Sequence, residues 1–193
     1  MKSICVYCGS NSGRSPAFTM AAESLGRLLA ERGVKLVYGG GQVGLMGTLA
    51  DAVLSAGGKV EGVIPEFLAL KEIAHMSLTR LHVVKSMHAR KAMMESLSDG
   101  FIAMPGGIGT MEELFEIWTW GQLGQHRNPV GLLNVDGYYD ALVAFLDTMT
   151  EQGFLTPEHR SALLVSDDAE ALLDMFAAYD APPADVRIKT GQT

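Results

Sequence analysis

Six short apolar runs recur along this chain, and each gives way to a longer stretch with helical spacing. Ser3–Tyr7, Val34–Tyr38, Val60–Ile64, Leu81–Lys85, Gly100–Met104 and Val130–Val135 read as strands. Helices are expected near Ala17–Arg32, Leu45–Ala56, Met87–Leu97, Met111–Leu123 and Tyr138–Gln152. Two shorter ones follow, opening at Thr156-Pro157 and covering Ala169–Tyr179. Apolar strands that alternate with helices require a parallel sheet covered on both faces. The pattern predicts an α/β fold, a Rossmann-like doubly wound parallel sheet in one domain over residues 1–180. Residues 181–193, with a Pro-Pro pair and no apolar period, read as a loose tail.

Other chain-wide features narrow the class. A chain of 193 residues suits one domain and needs no disulfide or metal staple to build a core. With 22 acidic against 15 basic residues, the formal charge is −7, so no general attraction for nucleic acid or acidic membranes is expected. The first residues read as a buried strand and not as a signal peptide, and no apolar run approaches the ~20 residues of a membrane span. A cytoplasmic protein is the expectation. Cys5 and Cys8 form a C-x-x-C, but on a strand they lie about 10 Å apart on opposite faces. A disulfide needs Cα atoms within about 7 Å. Two ordinary buried cysteines are predicted.

Ligands of an open parallel sheet bind beyond the carboxyl ends of its strands, and four unusual loops open on that edge. The first is Cys8–Gly13, the second Gly39–Gly47, the third Ser86–Lys91 and the fourth Pro105–Thr110. Gly39, Gly41 and Gly44 fit the dinucleotide fingerprint G-x-G-x-x-G, with Glu61 as a candidate ribose-binding acid. The motif follows the second strand, however, and Glu61 falls inside the third. The alternative is that these glycines only make a tight turn and let helix pack on strand. No phosphate loop of the ATP-binding type is present.

In the fourth loop, glycines free backbone N–H groups to face an anion at a helix start, where the helix dipole adds its positive end. Thr110 with Glu113 three residues on reads either as a capping box or as a helix start beside a free carboxylate. The third loop is basic. Between Ile73 and Met94 there is no acidic residue, but there are Arg80, Lys85, Arg90, Lys91 and three histidines. Cations in the first turns of a helix oppose its dipole, which makes sense if an anion sits between the loops; the alternative is a solvated basic face. His88 has no partner at metal-ligand spacing, and no metal site is expected.

At these residues the chain resembles a known family. Pro105-Gly106-Gly107-Ile108-Gly109-Thr110-Met111-Glu112-Glu113 is similar to the P-G-G-x-G-T-x-x-E signature of the LONELY GUY family, the cytokinin riboside 5'-monophosphate phosphoribohydrolases, long labelled lysine decarboxylases. The likeness extends to Tyr38–Gly41, Gly44–Gly47, Glu72-Ile73, Met87–Lys91, Thr119–Gly124 and Gly131–Tyr138, in order from Met1 to about Phe154. Between Pro65 and Glu72 the composition departs from the plant-like pattern. The resemblance implies hydrolysis of a purine nucleoside 5'-monophosphate to free base and ribose 5-phosphate, with no metal or organic cofactor. It implies Arg90 and Glu113 as the catalytic pair. Expected substrate contacts are Glu72, Arg90, Lys91, Gly106, Gly107, Ile108, Gly109, Thr110, Met111, Glu112 and Thr119. Ser10, Gly40, Gly41 and Met87, from loops on the same edge, complete the set.

Chemistry restricts the roles within that implied site. Cleaving a glycosidic bond builds positive charge on the ribose, which a carboxylate stabilises. Glu113 suits that task, or the activation of water. Arg90 carries a guanidinium, a side chain that keeps its proton in proteins, and is expected to hold phosphate or leaving-group charge. Two other classes compete: a nucleotide or cofactor carrier without turnover, and a nicotinamide-dependent oxidoreductase resting on Gly39–Gly44. The old decarboxylase label needs a Schiff-base lysine, and Lys91, the lysine of the motif region, is already accounted for by anion binding. Finally, the helix after the fourth loop carries Leu114, Phe115, Ile117, Trp118, Trp120 and Leu123, apolar on more than one face. A homodimer with this helix near the interface is expected.

Overall fold

The structure is a computed structural model that describes residues 1–69 and 74–183. Its seven strands are β1 (Ser3–Tyr7), β2 (Lys35–Tyr38), β3 (Val60–Pro65), β4 (Arg80–Val84), β5 (Phe101–Ala103), β6 (Val130–Leu133) and β7 (Leu163–Ser166). They form one all-parallel sheet in the order β4-β3-β2-β1-β5-β6-β7. The helices are α1 (Pro16–Glu31), α2 (Gly44–Ser55), α3 (Glu66–Ala69), α4 (Met87–Ser96), α5 (Ile108–Gln122), α6 (Asp140–Glu151), α7 (Pro157–Ala162) and α8 (Ala169–Ala177). The doubly wound expectation holds. The chain runs outward from β1 to β4, then returns to lay β5 on the other side of β1. The loops leaving β1 and β5 therefore diverge, and a crevice opens between them at the switch point.

Alternation along each strand divides the interior in two. Ile4, Val6, Leu36, Tyr38 and Ile102 pack with residues of α1, α2 and α8, among them Leu25, Leu49 and Leu172. Cys5, Tyr7, Val37, Val63 and Phe101 pack with residues of α4, α5 and α6, among them Met94, Leu114 and Leu146. Cys5 and Cys8 are free and buried, one in each core, as the strand period predicts.

Several elements differ from the sequence expectation, among them the short α3, which that expectation omits. β7 is absent from the predicted set because Leu163–Ser166 is four residues long and follows α7 without a turn, so no period separates it from the helix. It is real by pairing, with Val130, Gly131, Leu132 and Leu133 opposite its four residues. β6 ends at Leu133, and a 3-10 turn over Val135–Gly137 replaces its expected last residue. α5 begins at Ile108, three residues before the expected Met111, which changes the reading of the site below. Residues 70–73 and 184–193 lie outside the described residues; they include Glu72 and most of the expected tail. Among the described residues no helix is long and apolar enough to cross a membrane.

Candidate active site at the carboxyl edge of the sheet

Arg90 stands at the fourth position of α4, after Ser86, whose hydroxyl caps the helix by accepting from the Ala89 N–H at 3.1 Å. From there its side chain reaches over the carboxyl ends of β2 and β3. Nε donates to the Val63 carbonyl at 3.0 Å and Nη2 to the Gly39 carbonyl at 3.1 Å, and the residue is buried. A Cβ at Gly39 would overlap Nη2, so the second loop must carry glycine here for Arg90 to lie flat. A guanidinium has five N–H donors. Two carbonyls occupy two of them without neutralising the charge, which leaves Nη1 turned toward Glu113 at 3.7 Å. That distance permits attraction but exceeds a hydrogen bond.

Glu113 lies in the second turn of α5, only 13% of its side chain exposed. Burial raises its pKa to about 7; Glu112 and Glu116 add to the rise, and Arg90 and Lys91 oppose it. The capping-box reading is excluded by the helix start. Gly107 is the N-cap, without a side-chain bond, and Thr110 is the third helical residue. Glu113 thus lies too deep in the helix to reach back to its first amides. Thr110 is buried against Gly106, where a Cβ would overlap its hydroxyl.

Lys91 is engaged by two carboxylates. Its ammonium donates to Glu112 at 2.6 Å and to Glu116 at 2.9 Å. Burial alone would lower its pKa, but these two bonds outweigh burial and raise it. Within the basic third loop Arg90 is buried and Lys91 ties α4 to α5, whereas Lys85 and His88 are exposed. Glu61 bonds Lys35 at 3.0 Å and His82 at 2.8 Å, partners that overcome burial and hold its pKa below the usual value. The nucleotide-fingerprint reading therefore loses its acid.

The switch-point crevice is a cleft of about 240 Å³ lined by Cys8, Gly9, Ser10, Met46, Arg90, Gly107, Ile108, Gly109, Thr110 and Glu113. Across Gly9, Ser10 and Gly107 it adjoins a second cleft of about 260 Å³, bordered by Phe18, Leu45, Gly106 and Tyr138. Together they fall within the roughly 300–1,000 Å³ of small-molecule sites. A Cβ on Gly107 or Gly109 would meet nothing within 4 Å, so the first turn of α5 presents open space to the cleft. Its leading N–H groups have no intrahelical partner. The site can thus take an anion at a helix start, beside a buried cation and a carboxyl group poised near neutrality. Cys8 is no nucleophile here: burial, then Glu113, pushes its thiol well above its ordinary pKa.

Among the expected contacts, Ser10, Arg90, Gly107, Ile108, Gly109, Thr110 and Glu113 converge on the first cleft, with Gly106 in the second. Gly40 and Gly41 hold the chain that follows residue 73: the Gly40 carbonyl accepts from the His75 N–H at 3.0 Å, and Gly41 bridges to Ala74. Met87 is the first residue of α4, half-buried, and Met111 packs against the second core. Glu112 is taken up by Lys91, and Thr119 is exposed two turns further along α5. Sequence reading placed Cys8, Gly9 and Met46 in loops on the ligand edge but did not name them as site residues. Loop position was the available signal for all three, since the Leu45 N–H bonds the Gly9 carbonyl at 3.0 Å and stitches their loops together.

Comparison with known proteins gives this geometry a context. Residues 46–176 match the family model described as possible lysine decarboxylase. The chain is 50% identical over 89% of its length to a cytokinin riboside 5'-monophosphate phosphoribohydrolase of Rhodococcoides fascians, covering 87% of that protein. It is 49% identical over 93% of its length to one from Arabidopsis thaliana, covering 82% of it. Among solved structures, the molybdenum cofactor binding protein of Rippkaea orientalis superposes with a TM-score of 0.68 at 23% identity, covering 92% of this chain and 97% of that one; that likeness concerns the fold. On the strength of the family match and the near-half identity, this chain belongs to the LONELY GUY family of cytokinin riboside 5'-monophosphate phosphoribohydrolases, the family also described as possible lysine decarboxylases.

Proposed function

We propose that this protein hydrolyses the N-glycosidic bond of purine nucleoside 5'-monophosphates, AMP or its prenylated cytokinin counterparts, releasing free base and ribose 5-phosphate. The observation that carries the reading is the pairing of buried Arg90 with Glu113 beside the open helix start at Gly107–Thr110. The 5'-phosphate binds the amides of that helix start. As the bond from ribose C1' to the base breaks, the Glu113 carboxylate stabilises the cation developing on the ribose or takes a proton from the attacking water. The water oxygen bonds C1', and that proton is balanced by the one the base takes up as it leaves. Arg90, with N–H groups left over from its two carbonyls, holds the charge of phosphate or departing base. Lys91 is a strut between helices, held protonated by Glu112 and Glu116. A Schiff-base lysine needs the opposite shift, which disfavours decarboxylation.

The test is direct. Purified protein is incubated with AMP, with N6-prenylated AMP and with adenosine, and free base and ribose 5-phosphate are measured. Turnover of one or both monophosphates, with adenosine at least ~100-fold poorer, is the expected result. Tight binding of a monophosphate without release of base would instead identify a carrier. The role of Glu113 as a carboxylate further requires catalytic efficiency to rise as pH passes about 7.

The same reading includes assembly. α5 buries Leu114, Ile117 and Trp118, but Phe115 and the C-cap residue Leu123 are exposed, with Thr119 between them. A second copy covering this face would make a cytoplasmic homodimer and bring Thr119 to a site shared by two subunits. Light scattering at micromolar concentration should return twice the mass of one chain, and the single-chain mass would refute it.

A further inference from the structure

The block Gly131–Tyr138 has no part in the chemistry above, yet its end touches the glycine-rich loop. After β6, two consecutive residues adopt left-handed backbone, Asp136 at φ 54° and Gly137 at φ 67°. The turn sends Tyr138 and Tyr139 back toward β5. Asn134 holds it there, its side-chain oxygen accepting from the Tyr139 N–H at 2.7 Å while its side-chain nitrogen donates to Asp140 at 2.7 Å. Both tyrosine hydroxyls then donate to the loop between β5 and α5, Tyr139 to the Met104 carbonyl and Tyr138 to the Gly106 carbonyl, each at 2.6 Å. The carbonyl between them, on Pro105, accepts from the Gly9 N–H at 3.0 Å. Three successive carbonyls of the loop are therefore each held by a group distant in sequence.

The third of these bonds has a directional consequence. A trans peptide is planar, with its C=O and N–H pointing opposite ways. Tyr138 and Gly106 border the second cleft, and Gly107 borders both. With the Gly106 oxygen held by Tyr138, the Gly107 N–H of the same peptide points away from Tyr138. The Tyr138 ring is itself braced edge-on by Phe18 at 5.6 Å and Tyr139 at 5.0 Å.

We propose that Tyr138 is a positioning residue for substrate, fixing the Gly106–Gly107 peptide so that the Gly107 amide is aimed at the anion bound in the catalytic cleft. The inference rests on the phosphate-binding reading given above. Pre-aimed donors need no reorganisation when the ligand arrives, so loss of the hydroxyl weakens phosphate binding and not the fold. Tyr138 is half-exposed, and phenylalanine there keeps the ring contacts and leaves the freed carbonyl open to water.

The test compares wild type with Tyr138→Phe on AMP, using ribose 5-phosphate and adenine as separate inhibitors. In the variant, KM for AMP and the inhibition constant of ribose 5-phosphate should both rise about tenfold, the scale of one well-placed hydrogen bond. Inhibition by adenine and the melting temperature should stay put, a pattern that a general loss of structure would not produce. If wild type and variant give the same constants for AMP and ribose 5-phosphate, Tyr138 has no such role. If wild type itself neither turns over AMP nor binds ribose 5-phosphate, the phosphate reading fails, and this inference fails with it.

Discussion

Two glycine-rich loops face each other across the cleft, and they use glycine for opposite ends. In Gly39–Gly47 the missing side chains are replaced by protein. A Cβ at Gly39 would strike the Arg90 guanidinium, and one at Gly47 would strike the Gln42 carbonyl. In Gly107–Thr110 the missing side chains are replaced by nothing, for Gly107 and Gly109 look onto open space. The first loop is a mould that shapes and holds a cation. The second keeps the space beside a helix start clear of side chains. A motif search scores both as glycine-rich turns after a strand, yet only the second has the geometry of a binding site, and the true dinucleotide-like spacing belongs to the first.

The sharpest way to break this contrast is at Glu113, the carboxylate of the open side. Replacing it by Gln keeps size and shape but removes charge and basicity. Turnover of AMP should fall at least ~100-fold, measured as base release at saturating substrate, while ribose 5-phosphate still binds. Near-normal turnover would mean that the open side binds without catalysing, and the carboxylate would have to be sought at Glu112, Glu116 or Glu72.

A smaller effect is expected on the filled side. Gly39→Ala forces Arg90 to give up its bond to the Gly39 carbonyl, and catalytic efficiency should drop by about 10- to 100-fold, the scale of a displaced charged donor. An unchanged rate would show that Arg90 needs no mould. Smaller again, Gly109→Ala should leave the fold intact or firmer by up to about 1 kcal/mol, since alanine favours a helix over glycine. Its cost should appear in KM for AMP, because the new methyl occupies ligand space. A fall in melting temperature without any change in KM would make Gly109 a packing glycine like Gly39 and erase the contrast.

A last test reads stability in place of rate. Burial lifts the Glu113 pKa from 4.5 to about 7 in the folded chain, so between those values the folded state holds more proton than the unfolded one. Stability from this group is present below about pH 4.5 and lost as pH rises through 7. Glu113→Gln, which cannot ionise, should match wild type near pH 4 and exceed it at pH 8, by at most about 3 kcal/mol. A variant less stable than wild type at pH 8 would show that Glu113 is held as a satisfied ion and not as a strained one.

Much of this was legible in the chain itself. Apolar runs alternating with helical periods specify a parallel sheet, because backbone pairing and two-sided burial admit few other solutions. The carboxyl edge followed, and with it the loops that carry Ser10, Arg90, Gly107 and Glu113. Other features depend on contacts between distant residues, which no local pattern encodes. β7 is a strand because β6 lies beside it. Thr110 and Glu113 match a capping box in spacing, but the helix starts at Gly107, and the acid sits instead in a low-dielectric interior facing Arg90. Lys91 reads as an anion-binding cation, and only the fold brings Glu112 and Glu116 around it. Local sequence determines periodicity and turn chemistry. Charge pairing, burial and the emptiness beside a glycine are three-body facts, set only when helices from separate parts of the chain close over the same edge of the sheet.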